Sequence, residues 1–150
     1  MTSSHNTQDQ RLATADETTR AGGIASPLHP LVIAMSLDVT LFVEVDTGGP
    51  EPREFGVFDA NITHNLNRMA SEAGIYNYVW RPDECQNVAL AGDLIAPLRA
   101  GIKQMEDDPQ RFISLNPENG WGSYRDFLPW LREYLKACVE NPKARIRVSR

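Results

Sequence analysis

The amino-acid sequence predicts an α+β domain: a small antiparallel β-sheet, formed by an N-terminal hairpin and a C-terminal strand, with three to four helices packed on one face. Three observations lead to this prediction. Apolar and polar residues alternate with a period of two over residues 37–45, and they alternate again over residues 144–150. Between these segments the apolar residues recur with the period of an α-helix. Strands at the two ends with helices between them are typical of the α+β class.

The predicted hairpin begins in the segment LDVTLFVEV, residues 37–45. All of its odd-numbered positions are apolar, and Phe42 is the one apolar residue at an even-numbered position. The segment DTGGPEPRE that follows is rich in Gly and Pro, which favour a turn, and FGVFDA then returns as the second strand. In the C-terminal segment ARIRVSR, Ile146 and Val148 alternate with arginines, so we expect a third strand beside the hairpin.

The first predicted helix covers residues 62–73. Its apolar residues fall on one face, and Gly74 follows at the position of a C-cap. The next segment, IYNYVWRP, is predicted as a short helical or irregular piece that stops at Pro82. The apolar residues of the first helix are Ile62, Leu66, Met69, Ala70 and Ala73.

Two longer helices are predicted further along the chain. The first covers about residues 90–104, and we expect Pro97 to kink or divide it, because Pro lacks a backbone N–H group. The last helix is predicted to begin near Asp126. Pro129 would lie too deep inside a helix capped at Ser123, so the residues between are expected to form a distorted lead-in.

The N-terminal part of the chain has a different composition. Residues 1–27 contain no Trp, Phe, Tyr or Val and are rich in Ser, Thr, Gln, Asp and Gly. Such a segment buries too little apolar surface to offset its conformational entropy. We therefore predict a disordered extension over residues 1–34 and a single α+β domain over residues 35–150. Met35, which directly precedes the first strand, is expected to serve as an alternative start of translation.

The overall composition restricts the classes of partner. Hydrophobic residues make up 41% of the chain and charged residues 23%, as in ordinary globular proteins. The net charge of −5 argues against a nucleic-acid partner, because nucleic-acid binders carry a basic surface. The apolar run LVIAM near the N-terminus is too short to span a membrane, and no secretory signal is evident. We expect a cytoplasmic protein with no membrane or nucleic-acid partner.

Familiar catalytic and metal-binding motifs are absent from the sequence. His64 is the only histidine of the predicted domain. Cys85 and Cys138 do not have the close spacing of cysteines that bind a metal ion together, and both are expected to stay reduced. The sequence contains no GxSxG, Walker or GxGxxG motif. We therefore predict no catalytic residue, no metal ligand and no cofactor.

The strongest local sign of a site is NITHN, residues 61–65, at the start of the first predicted helix. His64 lies opposite the apolar stripe, and Asn61, Thr63 and Asn65 add hydrogen-bonding groups. One interpretation is that Asn61 or Thr63 caps the helix and the other side chains are solvated. The alternative is a ligand site, in which these side chains join the free N–H groups and positive dipole of the helix terminus to bind a phosphate, carboxylate or nucleobase edge.

A second unusual segment is LNPENGWGSYRDF, residues 115–127. One interpretation is a tight loop, in which Trp121 and Tyr124 cover the sheet edge or anchor the last helix. The alternative is a ligand loop. There Gly120 and Gly122 allow close approach to the backbone, and Trp121 offers a stacking surface.

The segments FDANITHNLNRMASEAGIYNYVWRP and LNPENGWGSYRDFLPWLREYLKAC together resemble a family of short single-domain proteins that are encoded by bacteria and their phages. The resemblance covers the chain from about Leu37 to the C-terminus. It implies a compact single domain and brings no established activity with it. Pro129 departs from the uninterrupted last helix that the resemblance implies. The link to phages favours an accessory protein that binds something in the host cytoplasm.

These observations lead to two main hypotheses of function. The first is a non-catalytic binding module for a small anionic or nucleotide-like ligand. The second is a protein-interaction or structural accessory protein that has no small-molecule site and binds a host protein. An enzyme that uses His64 as a general base, supported by Asp83, Glu84 or Glu118, is a third hypothesis without a clear catalytic set. The ligand-binding residues of the first hypothesis are Asn61, Thr63, His64, Asn65, Trp121 and Tyr124.

Overall fold

The computed structural model describes residues 36–150, so the predicted extension over residues 1–34 and the predicted start at Met35 lie outside the described residues. The described chain has the predicted α+β fold, with a three-stranded antiparallel sheet and five α-helices. Two of the helices have only five residues, which explains why the sequence predicted three to four.

The strands are β1 (Ser36–Val45), β2 (Arg53–Thr63) and β3 (Arg145–Ser149). The helices are α1 (Asn67–Glu72), α2 (Tyr76–Trp80), α3 (Ile95–Asp107), α4 (Pro109–Ile113) and α5 (Tyr124–Glu140). Three short 3₁₀ segments are His64–Leu66, Pro82–Glu84 and Ala91–Leu94.

The sheet has the strand order β2-β1-β3, so the N-terminal hairpin and the C-terminal strand share β1 as their centre. Both pairings are antiparallel, as predicted. The β1–β2 register shifts by one residue: Leu41 pairs with Phe58, whereas Phe42 pairs with Gly56. Val57 is the extra residue of this β-bulge. The alternation of β2 side chains between the two faces of the sheet therefore shifts by one residue at this point.

The hydrophobic core lies between one face of the sheet and the helices. Helix α5 packs against both α3 and β2, and this arrangement gives the predicted layer of helices on one face. Burial of these apolar side chains is the main favourable contribution to folding. Fully buried side chains of the core include Leu37, Leu41, Leu66, Met69, Ile75, Trp80, Leu98, Phe112, Phe127 and Tyr134.

On the opposite face of the sheet the central strand carries Asp38, Thr40 and Glu44, and Phe42 is its one apolar side chain there. Phe42 is buried but does not belong to the core cluster, in agreement with its position out of phase in the sequence. The guanidinium group of Arg147 lies 4.2 Å from the centre of the Phe42 ring and also pairs with Glu54. This cation–π contact covers the ring from the solvent side.

The prediction of a helix over residues 62–73 is wrong in its first part. β2 continues to Thr63, because Asn61 and Ile62 pair with Asp38 and Leu37 of the central strand. A strand pairing of this kind overrides the weak helix preference of Asn and of β-branched residues. The 3₁₀ segment and α1 follow, and Gly74 comes directly after the C-cap of α1, as predicted.

The effects predicted for two prolines agree with the structure only in part. The predicted helix over about residues 90–104 is divided into the 3₁₀ segment Ala91–Leu94 and α3, but the division lies before Pro97. Pro97 itself lies in the first turn of α3, where backbone N–H groups have no partner within the helix. Helix α5 begins at Tyr124, two residues before the predicted start, and continues through Pro129. The helix therefore accommodates the loss of one internal hydrogen bond.

Candidate functional site

Asn61 lies on the polar face of the sheet and does not take part in a helix start. Its side-chain amide donates a hydrogen bond to the carboxylate of Asp38 on the neighbouring strand. The residue is exposed, and its side chain is committed to a cross-strand pair. The suggestion that Asn61 caps a helix is therefore wrong.

Thr63 caps the turn that follows β2. Its hydroxyl oxygen accepts a hydrogen bond of 3.3 Å from the backbone N–H group of Asn65, as the capping interpretation predicted. The capped segment has only three residues, and the helix α1 that follows it has six. The predicted site therefore lacks the long helix whose terminus was expected to supply its dipole.

His64 contacts the core through one ring nitrogen. The indole Nε1–H group of Trp80 donates a hydrogen bond of 2.7 Å to Nδ1 of His64, and the two ring centres lie 6.3 Å apart. His64 is half-buried, whereas Trp80 is 1% exposed. Among the described residues, Trp80 is the only hydrogen-bond partner of the His64 side chain.

Trp80 is held in place from several sides. The ring of Tyr76 stacks on it at 5.6 Å, and Phe127 contacts it edge-on at 6.1 Å. A guanidinium nitrogen of Arg150 donates a hydrogen bond of 2.7 Å to its backbone carbonyl. Trp80 was not among the predicted site residues, because it lies 16 residues from His64 and no local pattern links the two.

The loop before α5 packs directly on the turn that holds His64. Gly122 has a φ of 88°, and a Cβ atom at this position would lie 2.7 Å from Cγ2 of Thr63 and 3.1 Å from Cδ1 of Leu66. Only glycine fits such a close approach in this backbone conformation. The segments NITHN and LNPENGWGSYRDF are therefore neighbours in the structure.

The two aromatic residues of this loop differ in environment. Trp121 is 60% exposed, and its backbone N–H group donates a hydrogen bond to the side chain of Asn119. Tyr124 is half-buried, and its hydroxyl group donates a hydrogen bond of 2.8 Å to the carbonyl of Met105 in the last turn of α3. The anchoring interpretation therefore describes Tyr124, whereas the ring of Trp121 faces solvent.

Two arginines near these segments have no carboxylate partner among residues 36–150. Arg68 follows His64 by four residues and Arg125 follows Trp121 by four, and both are exposed. Neither arginine was among the predicted site residues, because an exposed arginine has no distinctive pattern in the sequence.

Two of the three carboxylates that were considered as partners of His64 contact arginines instead, and Glu118 is exposed without an ion pair among residues 36–150. Asp83 forms an ion pair with Arg150, and Glu84 forms one with Arg81. The hydrogen bond from Arg150 lowers the pKa of the Asp83 carboxyl group. No described carboxylate hydrogen-bonds to His64.

Three further observations describe the available chemistry. Within residues 36–150 no group of three His, Cys, Asp or Glu side chains is arranged to hold a metal ion. Cys85 and Cys138 are both free thiols, as predicted, and burial raises the pKa of the Cys138 thiol to about 12. No helix in the described part of the chain has the length and apolar character needed to cross a membrane.

The chain matches no protein-family model, no curated protein and no solved structure. The resemblance to bacterial and phage proteins therefore stays a prediction.

Proposed function

We propose that this protein is a non-catalytic binding module for a small anionic or nucleotide-like ligand. The contact between Gly122 and Thr63 carries this proposal. Through this contact the turn that contains His64 and Asn65 lies against the loop that contains the exposed ring of Trp121.

Each part of this surface supplies a different interaction. His64 and Asn65 offer hydrogen-bonding groups, and the side chain of Asn65 has no hydrogen-bond partner among the described residues. The ring of Trp121 offers a flat surface on which a nucleobase stacks. Arg68 and Arg125 supply the positive charge that an anionic group requires. Thr63 and Tyr124 shape the surface through their own structural hydrogen bonds, and Asn61 belongs to the sheet.

A titration by two-dimensional ¹H–¹⁵N NMR, with AMP and with inorganic phosphate as separate probes, tests the proposal. We expect chemical-shift changes at residues 63–68 and 119–125. Replacing either arginine, in Arg68→Gln or Arg125→Gln, should weaken AMP binding by at least about tenfold, because a charge-assisted hydrogen bond contributes about 1.5–3 kcal/mol. Arg99→Gln is the matched control, since Arg99 is exposed on α3 and has no carboxylate partner in the described chain.

Two results would overturn this proposal. The first is the absence of shift changes with both probes at millimolar concentration. The second is an equal loss of binding in Arg99→Gln, because that result would indicate nonspecific attraction between the probe and any surface arginine.

A second candidate function is a protein-interaction accessory that contacts a host protein through the β1–β2 hairpin. Val45, Phe55 and Val57 are 41%, 48% and 40% exposed and belong to the turn-side half of the hairpin strands. Phe55 and Val57 belong to β2, an edge strand with no partner on its outer side within the described sheet, whereas Val45 ends the central strand β1. Exposed apolar side chains of this kind are typical of interaction sites.

Site-specific photo-crosslinking in host cells tests this second candidate. A photoreactive phenylalanine analogue at position 55 should give an adduct of one defined mass. The same analogue at Lys136, an exposed residue of α5, serves as the control. Identical adduct patterns at the two positions would eliminate the hairpin as a binding surface.

A further inference from the structure

We infer that Trp80 is a positioning residue that fixes the tautomer of His64, so that the site offers one N–H donor, at Nε2, to an oxygen acceptor of the ligand. The statement about the ligand rests on the proposed function. The tautomer itself follows from the hydrogen bond between Trp80 and His64 alone.

The chemistry of the indole ring determines the direction of this hydrogen bond. The Nε1–H group of Trp is a donor and has no lone pair to accept with. At 2.7 Å from this donor, Nδ1 of His64 is the acceptor and therefore carries no proton. In a neutral imidazole the proton then lies on Nε2.

The surroundings of Trp80 make this assignment stable. Trp80 is 1% exposed and is held by the rings of Tyr76 and Phe127 and by the guanidinium group of Arg150. Its indole N–H group therefore has no access to water as an alternative acceptor. Rotation of the His64 ring, or transfer of the proton to Nδ1, would leave a buried donor unpaired, which is unfavourable.

This tautomer restricts the chemistry that His64 can perform. An N–H group at Nε2 suits an acceptor such as a carboxylate, phosphate or carbonyl oxygen. A transition metal at Nε2 would require the proton on Nδ1, where it would point at the indole N–H group of Trp80. For the same reason Nε2 does not act as a general base. The site therefore selects oxygen acceptors over Zn²⁺.

Long-range ¹H–¹⁵N NMR on the full chain, with the His64 signals assigned from a His64→Gln sample, measures the tautomer directly. We expect a protonated Nε2 and an unprotonated Nδ1 in the wild-type protein. Trp80→Phe should convert His64 to an average of both tautomers. Trp130→Phe is the matched control and should leave His64 unchanged, because Nε1 of Trp130 has no hydrogen-bond partner among the described residues.

A proton on Nδ1 in the wild-type protein would overturn the inference, and so would an unchanged tautomer in Trp80→Phe. If Trp80→Phe fails to fold, hydrogen exchange of the Trp80 indole proton replaces it. That proton should exchange at least tenfold faster in His64→Ala than in the wild-type protein, and equal rates would overturn the inference.

Titrations with inorganic phosphate and with Zn²⁺ then separate the tautomer from the ligand. We expect phosphate to shift the Nε2 signals of His64 and an equimolar amount of Zn²⁺ to leave them unchanged. If His64 has the expected tautomer but its signals do not respond to phosphate or AMP, the proposed function is rejected. The role of Trp80 in fixing the tautomer would still stand. Binding of Zn²⁺ at His64 would reject the selection of oxygen acceptors.

Discussion

The ring of Tyr134 lies nearly parallel to the ring of Phe58, with the ring centres 5.8 Å apart and 10° between the planes. This stack joins α5 to the edge strand β2. The side chain of Tyr134 is fully buried, yet its hydroxyl group has no hydrogen-bond partner within the described chain. The residue therefore stabilises the fold through its ring, whereas its hydroxyl group is desolvated without compensation.

We predict that Tyr134→Phe leaves the free energy of unfolding unchanged or raises it by up to about 1 kcal/mol, because the substitution keeps the ring and removes an unpaired polar group. Urea denaturation followed by fluorescence measures this difference. Tyr124→Phe is the matched comparison. It removes a hydroxyl group that is bonded to the carbonyl of Met105 and should cost about 1 kcal/mol. Equal losses in the two variants would contradict the prediction.

Gly122→Ala should destabilise the protein more than Gly120→Ala. Both glycines have a positive φ, so both substitutions cost about 1 kcal/mol of backbone strain. A Cβ atom at Gly122 would also press against Thr63 and Leu66, whereas the space around Gly120 is open for 4 Å. We expect an additional loss of about 1–3 kcal/mol at Gly122, measured by urea denaturation. Equal losses would show that the loop does not pack closely on the turn of His64.

The same contact predicts a coupling between Gly122 and Thr63. Thr63→Ser keeps the hydroxyl cap and removes Cγ2, the atom nearest to the new methyl group. We expect the double variant Gly122→Ala/Thr63→Ser to be more stable than the sum of the single effects by about 0.5 kcal/mol or more. Additive effects in a double-mutant cycle would contradict this expectation.

The two thiols should react at different rates in the native protein. Cys138 is fully buried and burial raises its pKa to about 12, so its reactive thiolate is nearly absent at neutral pH. Burial also raises the pKa of Cys85, but this residue is only half-buried. We predict one slow alkylation by iodoacetamide, at Cys85, and a second only after unfolding in urea. Mass spectrometry counts the labels, and rapid labelling of Cys138 under native conditions would contradict the packing of α5.

Cys138 should also make stability sensitive to alkaline pH. The unfolded thiol loses its proton near its usual pKa of 9.0, whereas the folded thiol keeps its proton up to about pH 12. The stabilisation is therefore complete below about pH 9 and is lost as the pH rises through this window. Between about pH 8 and about pH 10.5, the free energy of unfolding of the wild-type protein should therefore fall. In Cys138→Ala this decrease should be smaller by about 1–2 kcal/mol. Parallel pH profiles would contradict this prediction.

Patterns within a single element were predictable from the sequence. The alternation over residues 37–45 gives β1, and Phe42, the residue out of phase, is buried outside the core. Gly74 marks the end of α1. Such patterns arise because the period of apolar residues directly reflects which side of an element is buried.

The boundary between β2 and the first helix was predicted incorrectly. Ile62 fits a helical stripe as well as it fits a strand, and local spacing does not distinguish the two. Pairing with Asp38 and Leu37, more than 20 residues earlier in the chain, determines the strand. The start of the last helix was predicted near Asp126, but α5 begins at Tyr124 for a similar reason. Packing of α5 on the sheet and on α3 compensates for Pro129.

For the candidate site, the sequence by itself determined which polar and aromatic residues are available: His64, Asn65 and Trp121 in two unusual segments. Only the tertiary structure determined which of their groups remain free. Asn61 and Tyr124 hydrogen-bond to distant parts of the fold, and one nitrogen of His64 is paired with Trp80. The physical reason is that a hydrogen bond depends on a donor and an acceptor within about 3 Å of each other. Residues far apart in the chain meet that condition only once the hydrophobic core has brought their elements together.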